Sequence, residues 1–427
     1  MPSAGLRRRL RIGVPGTLLV LLLSHQIWNA IERRRFEAAV ELLRASGARL
    51  DQAEFADPIV PDEENAALLL QEAYAWLQTD APRTALPEAK FRGSEAWSLE
   101  DRHEVLSWLT LIEPYFALLE RAAAKPGWHV AVDVSDPYLA RFEGIVWLNQ
   151  ARDALALRLL GGERADGWTS RAIETATLML DLQDRARLPG LLGHLTRQHC
   201  WSDVRRFLGH AATEEGFDAA ALRRGIEPRL LHDEARVGMQ YRDLEFERAA
   251  QLWLHRRILA GESHSVVGDL LPGLARSWIA RPWRYRDALA TLELADLARR
   301  GLEGPPEEVP RLLETIDARE SGLGPVSRLV LPVWRGALRR YVMEAAAFRL
   351  TRIVLALLER KQASGAWPET LEGLLDGGIP RDPISGVSFG YLHDAHGVRL
   401  HAAAPPWRSA TDRESLESSG LAWSFPP

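Results

Sequence analysis

Apolar residues recur every three or four positions along most of the chain, and this spacing predicts amphipathic helices. The clearest stripes are formed by Phe36, Val40 and Leu43, by Ala66, Leu70, Ala73 and Leu77, and by Met343, Ala347, Leu350, Val354 and Leu357. From Leu139 to about Ala260 helical segments follow one another with short glycine-containing breaks, as in antiparallel helix pairs. We therefore predict a mainly α-helical chain whose body is a set of helical hairpins or a solenoid-like array.

Prolines indicate where these helices begin or break. Pro61 precedes three acids at positions 62–64, and acids in a first turn suit the helix dipole, so a helix is predicted to open there. Pro114 lies inside the next apolar stripe and predicts a split or a kink in that helix. Alternation over residues 130–134 predicts one short strand.

The C-terminal part has a different pattern. The residues Gly365 to Pro368 should end the long helix that carries the third stripe. Two short alternating segments, 389–391 and 398–400, flank a turn and predict a β-hairpin. The Ser- and Pro-rich tail, residues 405–427, is predicted to be flexible.

The N-terminus predicts a membrane anchor. Four arginines between residues 7 and 11 precede an apolar stretch from Ile12 to Leu23, the order of segments that the secretion machinery recognises. Extending the stretch to Trp28 gives the length of roughly 17 residues that the shortest spanning helices have, and tryptophan suits the interface. Since no cleavage site of small residues follows, we expect an uncleaved signal-anchor that contacts the lipid bilayer through residues 12–28. A buried N-terminal helix of a soluble protein is the alternative.

These patterns divide the chain into four parts. We predict a signal-anchor or transmembrane helix over residues 1–31, a helical body over 32–335, a small α+β module with the hairpin over 336–404, and the tail over 405–427. The expected location is the bacterial inner membrane, crossed once, with the N-terminus inside and the bulk of the chain in the periplasm. Arg33, Arg34 and Arg35 follow the apolar stretch and weaken the charge bias that sets this orientation.

Charge and composition exclude some classes of partner and site. The net charge of −5 is spread over 427 residues, whereas a nucleic-acid-binding protein shows a concentrated basic face. Cys200 is the only cysteine, so no internal disulfide forms. The sequence has no glycine-rich phosphate loop with a lysine. We therefore expect neither a nucleic-acid partner nor a cofactor.

The order of motifs from Phe348 to Leu400 resembles the C-terminal part of type II secretion major pseudopilins. The shared order is a long helix, Gly-x-Trp-Pro at 365–368, a short Leu-Leu helix, Pro-x-Asp-Pro at 380–383 and a hairpin. The resemblance covers about an eighth of the chain and implies envelope or secretion-system proteins as partners. The prepilin leader pattern is not found near the N-terminus, and residues 402–406 carry alanines and prolines in place of that family's calcium-binding acids. We therefore expect neither pilus assembly nor calcium binding.

The whole chain is also similar to a group of uncharacterised, membrane-anchored helical proteins of planctomycetes and related bacteria. The residues that carry this resemblance are 61–67, Pro-Asp-Glu-Glu-Asn-Ala-Ala, followed by a helical middle and the pseudopilin-like end. The resemblance implies the architecture and the location predicted above and implies no chemistry.

Two groups of residues are weak candidates for chemistry. Glu63, Glu64 and Asn65 form a polar cluster that an enzyme could use, although acids at the start of a helix are explained by the helix dipole alone. His393, His396 and His401 could supply metal ligands, although exposed histidines are common on hairpins and no cysteine or helix-spaced histidine pair supports the site.

Two classes of function follow from these observations. The favoured class is a membrane-tethered helical interaction or scaffold protein of the bacterial envelope, for which the sequence identifies no enzymatic activity. The alternative is a membrane-anchored enzyme that acts on an envelope substrate through acidic residues, such as Glu63 and Glu64, in a helical cleft. An enzyme should have a deep pocket with convergent polar groups, whereas a scaffold should have a broad apolar or concave surface.

Overall fold

The computed structural model is mainly helical, as predicted, and ends in a small antiparallel sheet. It describes residues 4–55, 59–84, 87, 98–130, 143–161, 167–186, 191–212, 214, 216–236, 241–260, 262, 277–407 and 421–426. The strand predicted at 130–134 lies outside the described residues from position 131 onward.

The helices are numbered in chain order. The first six are α1 (Ala4–Ala45), α2 (Ala66–Leu77), α3 (Asp80–Thr84), α4 (Leu99–Leu111), α5 (Glu113–Ala123) and α6 (Glu143–Gly161). The others are α7 (Trp168–Arg185), α8 (Leu191–Ala211), α9 (Ala219–Arg236), α10 (Tyr241–Ala260), α11 (Arg281–Glu303), α12 (Val309–Arg319) and α13 (Pro325–Ser364). Short 3-10 turns occupy Gln52–Phe55, Asp62–Glu64, Trp278–Ala280, Pro306–Glu308 and Glu320–Gly322.

The break predicted at Pro114 is confirmed, because α4 ends at Leu111 and α5 begins at Glu113 with the proline in its first turn. The start of α2 differs from the prediction. The acids at 62–64 form a 3-10 turn, and the helix begins only after Asn65, whose extended backbone makes it the N-cap. Its side chain accepts a hydrogen bond from the Ala67 N–H. This amide is in the first turn and has no partner within the helix, so the Asn65 side chain supplies one.

The predicted stripes form two packed regions. The large core runs from α2 through α9 and α12 to the C-terminal sheet, and the stripe residues Ala66, Leu70, Ala73 and Leu77 are buried in it. A smaller core joins α1, α10 and α11 through Phe36, Val40, Leu252, Ala288 and Leu292. Helix α1 is continuous from its start to Ala45, so the predicted boundary after residue 31 falls within a helix.

The long helix α13 passes through the middle of the molecule. Its stripe residues Ala347, Leu350, Val354 and Leu357 are fully buried, while Met343 is half-buried at the edge of the core. The helix is continuous across residues 335 and 336, where a domain boundary was predicted. It ends at Gly365, whose φ of 75° is the left-handed conformation that glycine adopts most easily at a helix end.

The C-terminal sheet has three strands instead of the predicted two. The hairpin is formed by β1 (Gly390–Asp394) and β2 (Gly397–His401), with Tyr391 opposite Leu400. The third strand, β3 (Ala422–Phe425), pairs with β2 and comes from the tail that was predicted to be flexible. The alternating residues Leu421, Trp423 and Phe425 are buried, and this burial holds the strand on the module.

Trp367 joins the end of α13 to this sheet. Its ring stacks on Phe425 with centroids 5.3 Å apart, its Nε1–H donates to the Pro426 carbonyl at 2.9 Å, and the Lys361 ammonium lies 4.4 Å from the ring centroid. The ring thus contacts both the last strand and the last turns of the long helix.

No helix among the described residues is long and apolar enough to cross a membrane. Residues 12–17 of the predicted span lie outside the residues whose side chains are described.

Trp367→Ala should lower the free energy of unfolding by about 3–5 kcal/mol, the usual cost of truncating a buried tryptophan. Urea denaturation followed by circular dichroism measures the loss. Leu392→Ala, on the exposed side of β1 in the same sheet, is the matched control and should change little. An equal, small effect of both substitutions would show that the stacking on Phe425 does not hold the module.

Candidate functional site

The most distinctive site lies where α1 meets the start of α11. The His25 ring nitrogen Nε2 lies 2.8 Å from the Ile279 carbonyl oxygen, and the Trp28 ring meets Trp283 edge to face with centroids 4.5 Å apart. Further along both helices, Phe36 contacts Tyr285. The two helices therefore run in the same direction, and the part of α1 before His25 extends past the start of α11. We call this end of the body, where His25 and Trp28 of α1 meet residues 278–286, the foot.

Residues 18–23 of α1, which lie just beyond the foot, are apolar on every side of the helix. Residues Leu18 to Leu23 are each between 45% and 62% exposed. Six consecutive residues cover more than a full helical turn, so no single face can account for this exposure. A helix that is apolar all around is normally buried in protein or in lipid.

The foot itself displays aromatic and basic side chains. Trp278, Ile279 and Trp283 are each about half exposed, which is unusual for residues of this size. Arg281 and Arg286 are exposed beside them. Tryptophan and arginine on one surface are typical of the interface between a bilayer and water.

A cavity of about 460 Å³ opens at the foot between the end of α10, the start of α11 and residues 322–326. Most of its wall is apolar and comes from Ile258, Ala280, Trp283, Ala290, Leu323 and Val326. The polar groups that line it are Arg284, Arg286 and Asp287. Its volume falls in the range of roughly 300–1,000 Å³ that is usual for small-molecule pockets.

Asp287 joins the two helices that border the cavity. Its carboxylate oxygens accept hydrogen bonds from the backbone N–H groups of Val326 and Ser327, at 2.9 and 3.0 Å, in the first turn of α13. A Cβ at Gly324 would lie 2.4 Å from the Asp287 Cγ, so only glycine leaves room for this approach. The carboxylate therefore serves as the missing cap of α13, with a favourable interaction with its dipole.

Behind Asp287 a chain of hydrogen bonds continues into the core. The Ser327 hydroxyl contacts Asp287 and lies 3.0 Å from the Thr291 hydroxyl, which lies 2.9 Å from Nε2 of His255. Burial lowers the pKa of His255 to about 4, so its ring is neutral at pH 7. Serine, histidine and aspartate are thus close together, but Ser327 is fully buried and cannot meet a substrate in the cavity.

Arg284 has a structural role at the same end. Its guanidinium donates to the carbonyls of Ile258 and Ser277 at 2.6 and 2.8 Å, which ties α10 and the 3-10 turn to α11. Burial and the neighbouring charge of Arg281 lower its pKa. The exposed Arg286 remains on the rim as a group that can meet an anion.

The predicted acidic cluster is not assembled into a cleft. Glu63 and Glu64 are exposed, whereas Asn65 is buried. The Asn65 side chain donates to the His129 carbonyl at 2.9 Å and accepts from the His129 N–H at 3.0 Å, so it fixes the segment after α5 against the start of α2. This explains the cluster as a structural junction.

The three candidate histidines do not converge. His393 pairs with Val398 and His401 pairs with Gly390, and these positions place the two side chains on opposite faces of the hairpin. His396 lies in the turn between the strands. Among the described residues, the hairpin holds no group of side chains with metal-binding spacing.

Asp184, His232 and Asp233 are the one such group that the described residues contain, with ligand atoms within 4.8 Å of one another. These residues already have partners within the protein, and the Trp201 Nε1–H donates to the Asp233 carboxylate at 2.7 Å. Arg197 and Arg229 pair with Asp184, and Arg236 contacts the His232 ring nitrogen. The positive charges oppose a cation, and the cluster is better explained as an ion-pair network between α7, α8 and α9.

The foot was not predicted from the sequence. Its signal was available in the run from Trp278 to Trp283, where two tryptophans flank Ile279, Arg281 and Pro282. Comparison of the chain with protein-family models, with curated proteins and with solved structures finds no match.

The chain of hydrogen bonds behind Asp287 predicts a pH-dependent stability. His255 is neutral in the folded protein above about pH 4, whereas a histidine in the unfolded chain takes up a proton near pH 6.5. Between these values the unfolded chain binds more protons, so the stability falls as the pH is lowered from about 6.5 to about 4. His255→Gln, which keeps a polar partner for Thr291, should lose this part of the decline in urea unfolding measured across that range.

The comparison of the two proteins isolates His255. Burial raises the pKa of Asp203 to about 6, which favours the folded state at low pH, but this effect is common to both proteins and cancels in the difference. The exposed His103→Gln is the control and should follow the wild-type curve. Parallel curves for wild type and His255→Gln would contradict the prediction.

Proposed function

We propose that the protein is a membrane-tethered helical interaction or scaffold protein of the bacterial envelope. The observation that carries this proposal is the projecting start of α1, which exposes Leu18 to Leu23 on all sides beyond the foot. Lipid is the surrounding that removes this apolar surface from water without any further protein. The arginines at positions 7–11 precede the segment, as in a signal-anchor.

The foot supports the same proposal. Trp28 and Trp283 meet where α1 leaves the body, and Trp278 lies beside His25 with ring centroids 4.8 Å apart. Three tryptophans at one level of the anchor form a belt of the kind that membrane proteins place at the headgroups. The proposed location is the inner membrane, crossed once through residues 12–28, with the body in the periplasm.

A scaffold is favoured over the alternative enzyme because of how the polar groups are used. Asp287, Ser327, Thr291 and His255 bind one another and fix helices, and Asn65 does the same near α2. Glu63 and Glu64, on which the enzymatic alternative relied, are exposed to solvent. The partners that follow from the proposal are the bilayer and, through the body and its pseudopilin-like end, envelope or secretion-system proteins.

Charges placed in the projecting segment should release the protein from the membrane. Val20→Arg with Leu22→Arg introduces two cations near the middle of the proposed span, each at about 2.5–3.5 kcal/mol. Flotation of the full-length protein with phospholipid vesicles in high salt measures the effect. Wild type should float, and the double variant should remain at the bottom of the gradient.

Leu42→Arg is the matched control, since Leu42 is an exposed apolar residue of the same helix but lies on the body side of the foot, away from the proposed span. This control should float like wild type. Wild-type protein that stays at the bottom of the gradient, or a double variant that floats fully in high salt, would overturn the proposal.

A further inference from the structure

We propose that the cavity at the foot binds an acyl chain of a bilayer lipid whose anionic headgroup is held at Arg286. The proposal rests on the membrane tether proposed above and adds a specific ligand class to it. It is carried by the wall of the cavity, by its position relative to the anchor and by the charge at its rim.

The wall suits a hydrocarbon chain. Ile258, Ala290, Leu323 and Val326 line the cavity with aliphatic side chains, and Trp283 adds an aromatic ring. An apolar cavity that remains in contact with water is costly, and an acyl chain would remove that surface from water.

The cavity lies at the level where the anchor enters the body. Trp283 lines the cavity and also meets Trp28 of α1, so the same ring borders the anchor and the cavity. A lipid beside α1 could therefore place one chain in the cavity while its headgroup stays at the level of the tryptophans. A ligand that binds from solution does not require a cavity beside the membrane anchor.

The rim is cationic. Arg286 lines the cavity and is exposed, and Arg281, five residues earlier on α11, is exposed at the same end of the body. The carboxylate of Asp287 is buried and directed to the first-turn amides of α13, so the side-chain charges exposed at this rim are those of the arginines. A guanidinium binds phosphate oxygens with good geometry, so the expected headgroup is a phosphate-bearing anionic one.

Photo-cross-linking in vesicles tests this proposal on the full-length protein. Vesicles contain a trace of phosphatidylglycerol, or of phosphatidylcholine, with a diazirine at the end of one acyl chain, and labelled peptides are identified by mass spectrometry. Wild type should label peptides that contain Trp283–Ala290 or Leu323–Val326, and phosphatidylglycerol should label them more than phosphatidylcholine does.

Two variants separate the roles of chain and headgroup. Ala290→Phe fills the cavity and should remove the label from these peptides, while label on Leu18–Leu23 persists. Arg286→Gln should reduce the preference for phosphatidylglycerol by about fivefold, because this is the contribution that one arginine makes to binding at an anionic membrane surface. Because Arg286 is exposed, this variant should fold even if Ala290→Phe does not. Arg300→Gln, near the other end of α11, is the matched control and should keep the preference.

The outcomes distinguish the two proposals. Label on Leu18–Leu23 without label on the cavity peptides would overturn the lipid site and leave the tether intact. Cavity labelling that Ala290→Phe and Arg286→Gln leave unchanged would also overturn it, since it would reflect general proximity to the bilayer. If the wild-type protein fails to float, the proposed tether is wrong. If the cavity peptides are also unlabelled in the same vesicles, the lipid site is wrong as well. A cross-linked dimer joined through the cavity peptides, with no lipid label on them, would also overturn the lipid site. It would show that a second copy of the chain covers the cavity.

Discussion

The carboxylate of Asp287 holds the start of α13 against the side of α11, and the position at which this long helix enters the core depends on that contact. It satisfies two amides at the end of a long helix and lies in a partly enclosed position where such bonds are strong. With Gly324 allowing the close approach, the two helices run side by side in the same direction. The foot, its cavity and the entry of α13 into the core all follow from this arrangement.

From this contact with Asp287, α13 runs to the other end of the molecule and fixes the position of the C-terminal sheet. Its middle is packed in the large core, and its last turn brings Trp367 onto Phe425 of the C-terminal sheet. Asp382 plays a similar part within the module, where its fully buried carboxylate accepts from the Ile384 and Ala403 N–H groups. Both ends of the structure thus use a buried aspartate to bind backbone amides, which aligns separate segments of the chain.

Local pattern was sufficient for the elements that depend on neighbouring residues. The stripes at Ala66–Leu77 and in α13, the break at Pro114 and the hairpin are set by spacing and by proline, and each was predicted correctly. The junctions were not predicted, since they join distant residues. Asp287 meets Val326 across 39 positions, and nothing in the sequence around either residue indicates the pairing. The third strand was missed because Ser- and Pro-rich residues concealed the alternation of Leu421, Trp423 and Phe425. The cavity was not predicted either, because its wall is formed by segments that are distant in the sequence.

The unbroken course of α1 from Ala4 to Ala45 has a mechanical consequence. A proposed anchor that passes into the body as one helix, with no linker, fixes the tilt and the height of the body above the lipid. At about 1.5 Å per residue, Phe36 stands roughly 12 Å further along the axis than Trp28. Under the proposed anchoring, a partner would meet the body at a fixed height and orientation above the lipid, and a tilt of the anchor would move the smaller core with it, because the two share one helix.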